Sequence, residues 1–141
     1  MGNLTKDVLI VDDDAGIRNL VAVALSRAGL TCDTAVDGVH AVEQMSERIY
    51  TVLLLDMSMP RLDGAGVLRE IREFRTDGDR PIVLVMTAAV EREPLEPVAE
   101  MVQAVITKPF DIHELRELVQ GCVALRNHNG GGEIKTTSGA D

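Results

Sequence analysis

Acidic, hydroxyl and amino side chains follow four short, largely apolar runs in this sequence. Asp12 and Asp13 follow VLIV, Asp56 follows VLLL, Thr87 follows IVLVM and Lys108 follows AVIT. Short apolar runs bounded by polar residues are typical of strands that are buried on both faces of a parallel sheet. Because ligands of open α/β sheets bind outside the carboxyl ends of the strands, these five residues are the candidates for a functional site.

If the four strand ends are neighbours, the site contains three carboxylates, a hydroxyl and an ammonium group. Two carboxylates ~4 Å apart repel each other by about 4 kcal/mol at an effective dielectric constant of about 20, so three of them require a cation. Hard oxygen ligands suit Mg²⁺, which binds proteins through one or two carboxylates and keeps several waters. The donor set therefore predicts a Mg²⁺ site.

Such a site stabilises an incoming phosphoryl group. The metal and Lys108 would neutralise its oxygens, Thr87 would donate a hydrogen bond, and one carboxylate would attack phosphorus. Asp56 is the predicted nucleophile, because it stands alone at the end of its run, whereas Asp12 and Asp13 are paired as metal ligands often are.

Each of these residues also has an ordinary structural interpretation. Aspartate is common where strands end, so Asp56 could form a turn and Asp12 and Asp13 could be loop or capping residues. Thr87 could be a strand-end hydroxyl, and Lys108 could be a solvated surface charge. Their occurrence together at four strand ends favours the functional interpretation.

Segments of helical periodicity separate the predicted strands. Asp14 is the predicted N-cap of the first helix and Gly29 the residue that ends it, and Asp111 is the predicted N-cap of the last helix, with Glu114 as its capping-box partner. The predicted inward residues are Ile17, Leu20, Val21, Ala24, Leu25 and Ala28 in the first helix, and Ile112, Leu115, Leu118, Val119, Cys122 and Val123 in the last.

Five strands alternating with five helices predict an α/β fold with a doubly wound parallel sheet. The length of 141 residues predicts one domain, assigned to residues 1–126, and the Gly-rich composition of 127–141 predicts a disordered tail. The net charge of −9 argues against direct binding of nucleic acid or an anionic membrane.

The two cysteines, Cys32 and Cys122, have neither metal-binding nor disulfide-framework spacing, and are expected to be small core residues in a reducing compartment. The N-terminal residues lack the pattern of a signal peptide, and no apolar run approaches the ~18 residues of a membrane span. A cytoplasmic location is therefore expected.

Four segments, VLIVDDD, LLLDMSMPRLDG, VMTA and TKPF, in this order and spacing, resemble the receiver domain of two-component response regulators, the CheY-like family. The resemblance covers residues 7–125. It implies a flavodoxin-like (βα)5 fold with strand order 2-1-3-4-5, which CheY exemplifies.

The resemblance also implies roles for individual residues. Asp56 matches the phospho-acceptor, which takes a phosphoryl group from a sensor histidine kinase or a phosphotransfer protein. Asp13 and Asp56 match direct Mg²⁺ ligands, Asp12 contributes mainly through metal-bound water, and the backbone carbonyl of Ser58 completes the protein ligands.

Thr87 and Lys108 match the pair that engages the phosphoryl group and carries the change to the fourth helix, the fifth strand and the fifth helix. The sequence leaves open which downstream protein is bound and whether the chain dimerises on phosphorylation. The first helix matches the usual docking face for the kinase. No activity is implied beyond Mg²⁺-dependent self-phosphorylation and autodephosphorylation.

The sequence departs from the family pattern in the region where the output is expected. Val105 replaces an aromatic switch residue, Met101 replaces a common glycine, and Pro94 and Pro97 restrict the predicted fourth helix to a short one that begins near Pro94.

Two alternative functions remain open from the residues alone. A small phosphatase with an aspartyl-phosphate intermediate would need a second aspartate two residues after the nucleophile, where this chain has Ser58. A receiver-like binding module that does not depend on phosphate would instead show unchanged partner affinity in Asp56→Asn.

Overall fold

One parallel sheet of five strands organises the residues that the computed structural model describes, which are 5–57, 59, 61–88 and 99–129. The strands are β1 (Thr5–Val11), β2 (Cys32–Ala35), β3 (Ile49–Asp56), β4 (Ile82–Ala88) and β5 (Val102–Lys108). Their order is β2-β1-β3-β4-β5, and every pairing is parallel. Both the fold class and the strand order implied by the resemblance are confirmed.

Four α-helices lie within the described residues, namely α1 (Ala15–Arg27), α2 (Gly38–Glu47), α3 (Gly64–Phe74) and α4 (Ile112–Asn129). Short 3₁₀ helices cover Asp77–Asp79 and Ala99–Met101. The helix predicted to begin near Pro94 falls outside the described residues. Helix α4 continues to Asn129, past the predicted boundary at residue 126, and the rest of the predicted tail also falls outside the described residues.

Two hydrophobic cores cover the two faces of the sheet. One lies against α2 and α3, and the other lies against α1 and α4. Successive side chains of a strand point to opposite faces of the sheet, so β1 contributes to both cores. Leu9 and Val11 belong to the first core, and Val8 and Ile10 belong to the second. The sheet is therefore doubly wound, as the sequence predicts.

The predicted helix boundaries are confirmed by their capping contacts. The Asp14 side chain accepts a hydrogen bond from the Ile17 amide at 3.1 Å, and the Asp111 side chain accepts one from the Glu114 amide at 3.2 Å. Gly29 ends α1 with a φ of 91°, in the left-handed region that glycine adopts without steric cost.

Two residues that were predicted to face the core are exposed instead. The exposed fraction is 51% for Leu20 in α1 and 37% for Leu118 in α4. Both precede a fully buried residue, Val21 or Val119, and successive helical residues differ by about 100° around the axis. The inward stripe is centred on the buried residue, so the preceding leucine lies outside it, and the prediction was wrong at these two positions.

A second group of charged residues lies toward the amino ends of the strands. The carboxylate of Asp33 lies 2.9 Å from the Lys6 ammonium and 3.5 Å from the Arg48 guanidinium, and it accepts a 2.6 Å hydrogen bond from the Tyr50 hydroxyl. Burial alone would raise the pKa of Asp33, but the hydrogen bonds and charges of its partners outweigh burial and lower it. We call these four residues the Asp33 cluster.

Both cysteines are free thiols that contribute to packing. Cys122 is buried in the core beside α1 and α4, and Cys32 is half-buried against the same core. Burial raises the pKa of the Cys32 thiol to about 11, so this thiol stays protonated at neutral pH. Among the helices that the structure describes, none is long and apolar enough to cross a membrane.

Candidate functional site

The strand register brings the candidate residues to one edge of the sheet. Strands β1 and β3 are paired up to the positions immediately before Asp12 and Asp56. The pairing of β4 with β3 and with β5 carries Thr87 and Lys108 to the same edge. The four strand ends are therefore neighbours, which is the condition on which the predicted site depends.

Three carboxylates meet at this edge, and we call them the aspartate cluster. One oxygen from each of Asp12, Asp13 and Asp56 lies within 4.8 Å of the others. Asp12 is fully buried and Asp56 is 5% exposed, whereas Asp13 is exposed. Asp12 and Asp56 thus repel each other and have little access to water, so a nearby positive charge is needed to stabilise them.

Lys108 supplies part of that charge from the end of β5. Its ammonium lies 3.0 Å from Asp12 Oδ2 and 3.6 Å from Asp56 Oδ1. Burial alone would lower the pKa of Lys108, but the hydrogen bond and charge of Asp12, together with the charge of Asp56, outweigh burial and raise it. Lys108 therefore remains a cation across the physiological pH range.

The turn between β1 and α1 is held by contacts that the sequence did not indicate. The Asp14 amide donates to Asp12 Oδ1 at 2.9 Å, and the Arg18 guanidinium donates to the main-chain carbonyl of Asp12 at 2.8 Å. The only signal in the sequence was a basic residue soon after the paired aspartates, and no pattern of spacing ties such a residue to a carbonyl.

The segment after Asp56 packs tightly against the start of α3. The Gly64 amide donates to the Met57 carbonyl at 3.2 Å, and a Cβ at Gly64 would lie only 2.5 Å from the Met57 sulfur. Glycine is needed here because no side chain fits between the strand end and the helix. Ser58, whose carbonyl was expected to bind the metal, lies outside the described residues.

Thr87 is 9% exposed at the end of β4. Its Oγ1 lies 3.4 Å from the carbonyl oxygen of Ala88, a long and weak hydrogen bond. Val105, at the position where the family commonly has an aromatic residue, is 50% exposed on β5.

The donor set of the aspartate cluster fits a hard divalent cation. All three ligand groups are carboxylate oxygens, and their spacing allows one ion to contact more than one of them. The excess of negative charge over the ammonium of Lys108 is the electrostatic reason for an ion to bind here. The aspartate cluster can therefore hold a metal.

Comparisons with known proteins agree with this fold and site. The sequence matches the response regulator receiver domain over residues 8–120, and the chain belongs to that family. A probable transcriptional regulator, ycf27 of Guillardia theta, is 34% identical over 136 residues, which are 96% of this chain and 52% of the relative. The chain spans about half the length of the first curated relatives that it matches.

Solved structures resemble the chain over most of its length. A CheY-like receiver domain protein from Methanospirillum hungatei is 31% identical with a TM-score of 0.79, covering 86% of this chain and 97% of that one. Response regulator protein TrrA from Thermotoga maritima, solved in complex with Mg²⁺ and BeF, is 29% identical with a TM-score of 0.70, covering 83% and 98%.

Proposed function

We propose that this chain is a phosphorylatable receiver module of the cytoplasm, and that Asp56 accepts a phosphoryl group from the phosphohistidine of a sensor histidine kinase or phosphotransfer protein. The observation that carries this proposal is the meeting of Asp13, Asp56 and Lys108 at one edge of the sheet. Membership of the receiver family supports it.

In the proposed reaction, an Asp56 carboxylate oxygen forms a bond to phosphorus while the bond from phosphorus to the donor imidazole breaks. The leaving imidazole takes a proton from solvent. Lys108, already 3.6 Å from Asp56, pairs with a phosphoryl oxygen, and the Thr87 hydroxyl donates a hydrogen bond to another. Both groups act on charge that arrives with the phosphoryl group.

Mg²⁺ is the proposed cofactor. Asp13, Asp56 and the Ser58 carbonyl would hold it, with Asp12 acting through bound water, and when bound it supplies charge neutralisation for the transferring oxygens. The full burial of Asp12 and its contact with Lys108 suit a residue that contacts the metal through a bound water and not directly.

A surface between α1 and α4 is the proposed docking site for the phosphoryl donor. Leu20 and Val23 are about half exposed, and they line a groove together with Arg27, His113 and Arg116. Apolar side chains framed by basic groups suit a partner helix with an apolar stripe and acidic flanks. On a chain with a net charge of −9, this local basic character is distinctive.

The proposal is tested with Mg²⁺ and a small phosphodonor, acetyl phosphate, using intact-protein mass spectrometry. We expect the wild type to gain one phosphoryl group and Asp56→Asn to gain none, because the substituted amide is not a nucleophile for phosphorus. Chelation of Mg²⁺ is expected to abolish modification of the wild type.

Asp33→Asn is the matched control, since it removes a partly buried aspartate at the other end of the strands and should leave modification intact. Equal modification of wild type and Asp56→Asn would contradict the proposal, as would a wild type that is never modified. No turnover enzyme is proposed, and steady release of phosphate from many substrates would instead favour a phosphatase.

A further inference from the structure

We propose that Arg18 is a positioning residue for the metal site, because its guanidinium holds the peptide group that joins Asp12 to Asp13. Its Nη1 donates to the carbonyl oxygen of Asp12 at 2.8 Å. This inference deepens the proposed function, since the carboxylates that it positions are the proposed metal ligands.

The two aspartates that this peptide group joins are held very differently. The Asp12 side chain is fully buried, accepts a hydrogen bond from the Asp14 amide and contacts Lys108. Asp13 is exposed, so core packing does not hold its side chain in place. The direction of the Asp13 side chain therefore depends on the conformation of its backbone. The Asp12 carbonyl belongs to the peptide group that precedes Asp13, so a hydrogen bond to this carbonyl fixes the orientation of that peptide group.

Helix α1 provides a rigid base for Arg18. The Asp14 side chain caps this helix at the Ile17 amide, so its first turn is fixed next to the strand end. Helical side chains lean toward the N-terminus of their helix, which brings the half-buried Arg18 side chain back over the turn that carries the aspartates.

The identity and location of this residue are themselves informative. A cation near a helix N-terminus opposes the helix dipole, so helix stability alone does not explain an arginine here. Arginine keeps its charge at all accessible pH values and offers several donors in a planar fork, which suits a fixed hydrogen bond to a carbonyl beside carboxylates.

The decisive experiment measures Mg²⁺ binding alone, by isothermal titration calorimetry, in the full chain. In Arg18→Met we expect the Kd for Mg²⁺ to rise roughly tenfold, the scale at which loss of a residue that orients a metal ligand acts. The rate of modification by acetyl phosphate should fall at low Mg²⁺ and return to the wild-type value at saturating Mg²⁺, because Asp56 itself is untouched.

Arg69→Met is the matched control, because Arg69 is an exposed arginine on α3 outside the site. It should leave the Kd unchanged. Backbone amide relaxation by NMR should show increased mobility at Asp13 in metal-free Arg18→Met, with the remaining dispersion of a folded protein. Arg18→Lys, which keeps the charge but loses the fork, should have an intermediate Kd.

An unchanged Kd in folded Arg18→Met would overturn the inference. An equal rise in Arg69→Met would also overturn it, because the effect would then not depend on the hydrogen bond to the Asp12 carbonyl. Loss of a positive charge by itself should lower the Kd for Mg²⁺, so a change in charge does not account for the expected rise. If the wild type binds Mg²⁺ but is never phosphorylated, the proposed function fails, whereas the comparison of Mg²⁺ affinities still decides the role of Arg18.

Discussion

The chain carries two groups of charged residues at opposite ends of the strands. Positive charges outnumber negative ones in the first group, and negative charges outnumber positive ones in the second. In the Asp33 cluster one carboxylate has two cations and a phenol as partners. In the aspartate cluster three carboxylates lie close together, and Lys108 contacts two of them. Both groups pair aspartate with lysine, and they differ in the ratio of negative to positive charges.

This difference separates a structural site from a site that needs a further component. The carboxylate of Asp33 is satisfied within the chain, and its lowered pKa reflects net stabilisation of the charged form. The aspartate cluster keeps an excess of negative charge, and two of its three carboxylates are buried. This excess disfavours the metal-free fold and favours the binding of a cation. The affinity for a cation thus comes from an imbalance that the fold itself maintains.

The largest effect on stability is expected from removing the cation of the aspartate cluster. In Lys108→Met, Asp12 remains fully buried and loses its 3.0 Å partner, so without Mg²⁺ the free energy of unfolding should fall by about 2 kcal/mol. Urea unfolding followed by circular dichroism measures this change.

The matched variant is Lys6→Met in the Asp33 cluster. There Arg48 and Tyr50 remain as partners of Asp33, so the loss should be only about 0.5 kcal/mol. Equal losses in the two variants would mean that the charge balance of the two clusters does not differ in the way that we infer.

A divalent cation should stabilise the fold through the aspartate cluster and not through the Asp33 cluster. At about ten times its Kd, Mg²⁺ should raise the free energy of unfolding by about 1.4 kcal/mol, because it binds the folded state alone. Thermal or urea unfolding with and without Mg²⁺ gives this value. The gain should vanish in Asp13→Asn and persist in Asp33→Asn. A gain retained in Asp13→Asn would mean that Asp13 is not a ligand of the metal.

The same chemical change should have opposite signs at the two clusters when Mg²⁺ is absent. Asp13→Asn removes a charge that its neighbours repel and should stabilise the fold by up to about 1 kcal/mol. Asp33→Asn removes charge-assisted hydrogen bonds and should destabilise it by about 1 kcal/mol. Urea midpoints of the two variants that move in the same direction would contradict the comparison.

The aspartate cluster could be anticipated from sequence, whereas the Asp33 cluster could not. Asp56 and Lys108 each follow a largely apolar run, and the carboxyl ends of parallel strands share one edge of the sheet, so the fold class places both residues at that edge. Their closeness along the edge follows from the strand order that the resemblance implies. The partners of Asp33 are Lys6 in β1, Tyr50 in β3 and Arg48 just before β3, and their closeness depends on strand order and register. Periodicity carries no information on strand order.

Two further failures show where sequence patterns stop being informative. Leu20 and Leu118 have the residue type and approximate spacing of core positions, but a rotation of about 100° separates an inward residue from the next one along the helix. The contact of Arg18 with the Asp12 carbonyl joins a side chain to the main chain, and residue types alone do not reveal such a contact.

The smallest effect is the pH dependence of the stability that the Asp33 cluster contributes. The pKa of Asp33 is lower in the folded chain than in the unfolded chain, so its contribution to stability is complete above the unfolded value of about 3.9 and is lost as the pH falls through the folded value. The difference in unfolding free energy between wild type and Asp33→Asn should therefore be constant near neutral pH and shrink at acidic pH. Urea unfolding of both proteins across this range measures it. A difference that grew on acidification would mean that burial, which raises the pKa of Asp33, outweighs its hydrogen bonds with Tyr50 and Lys6.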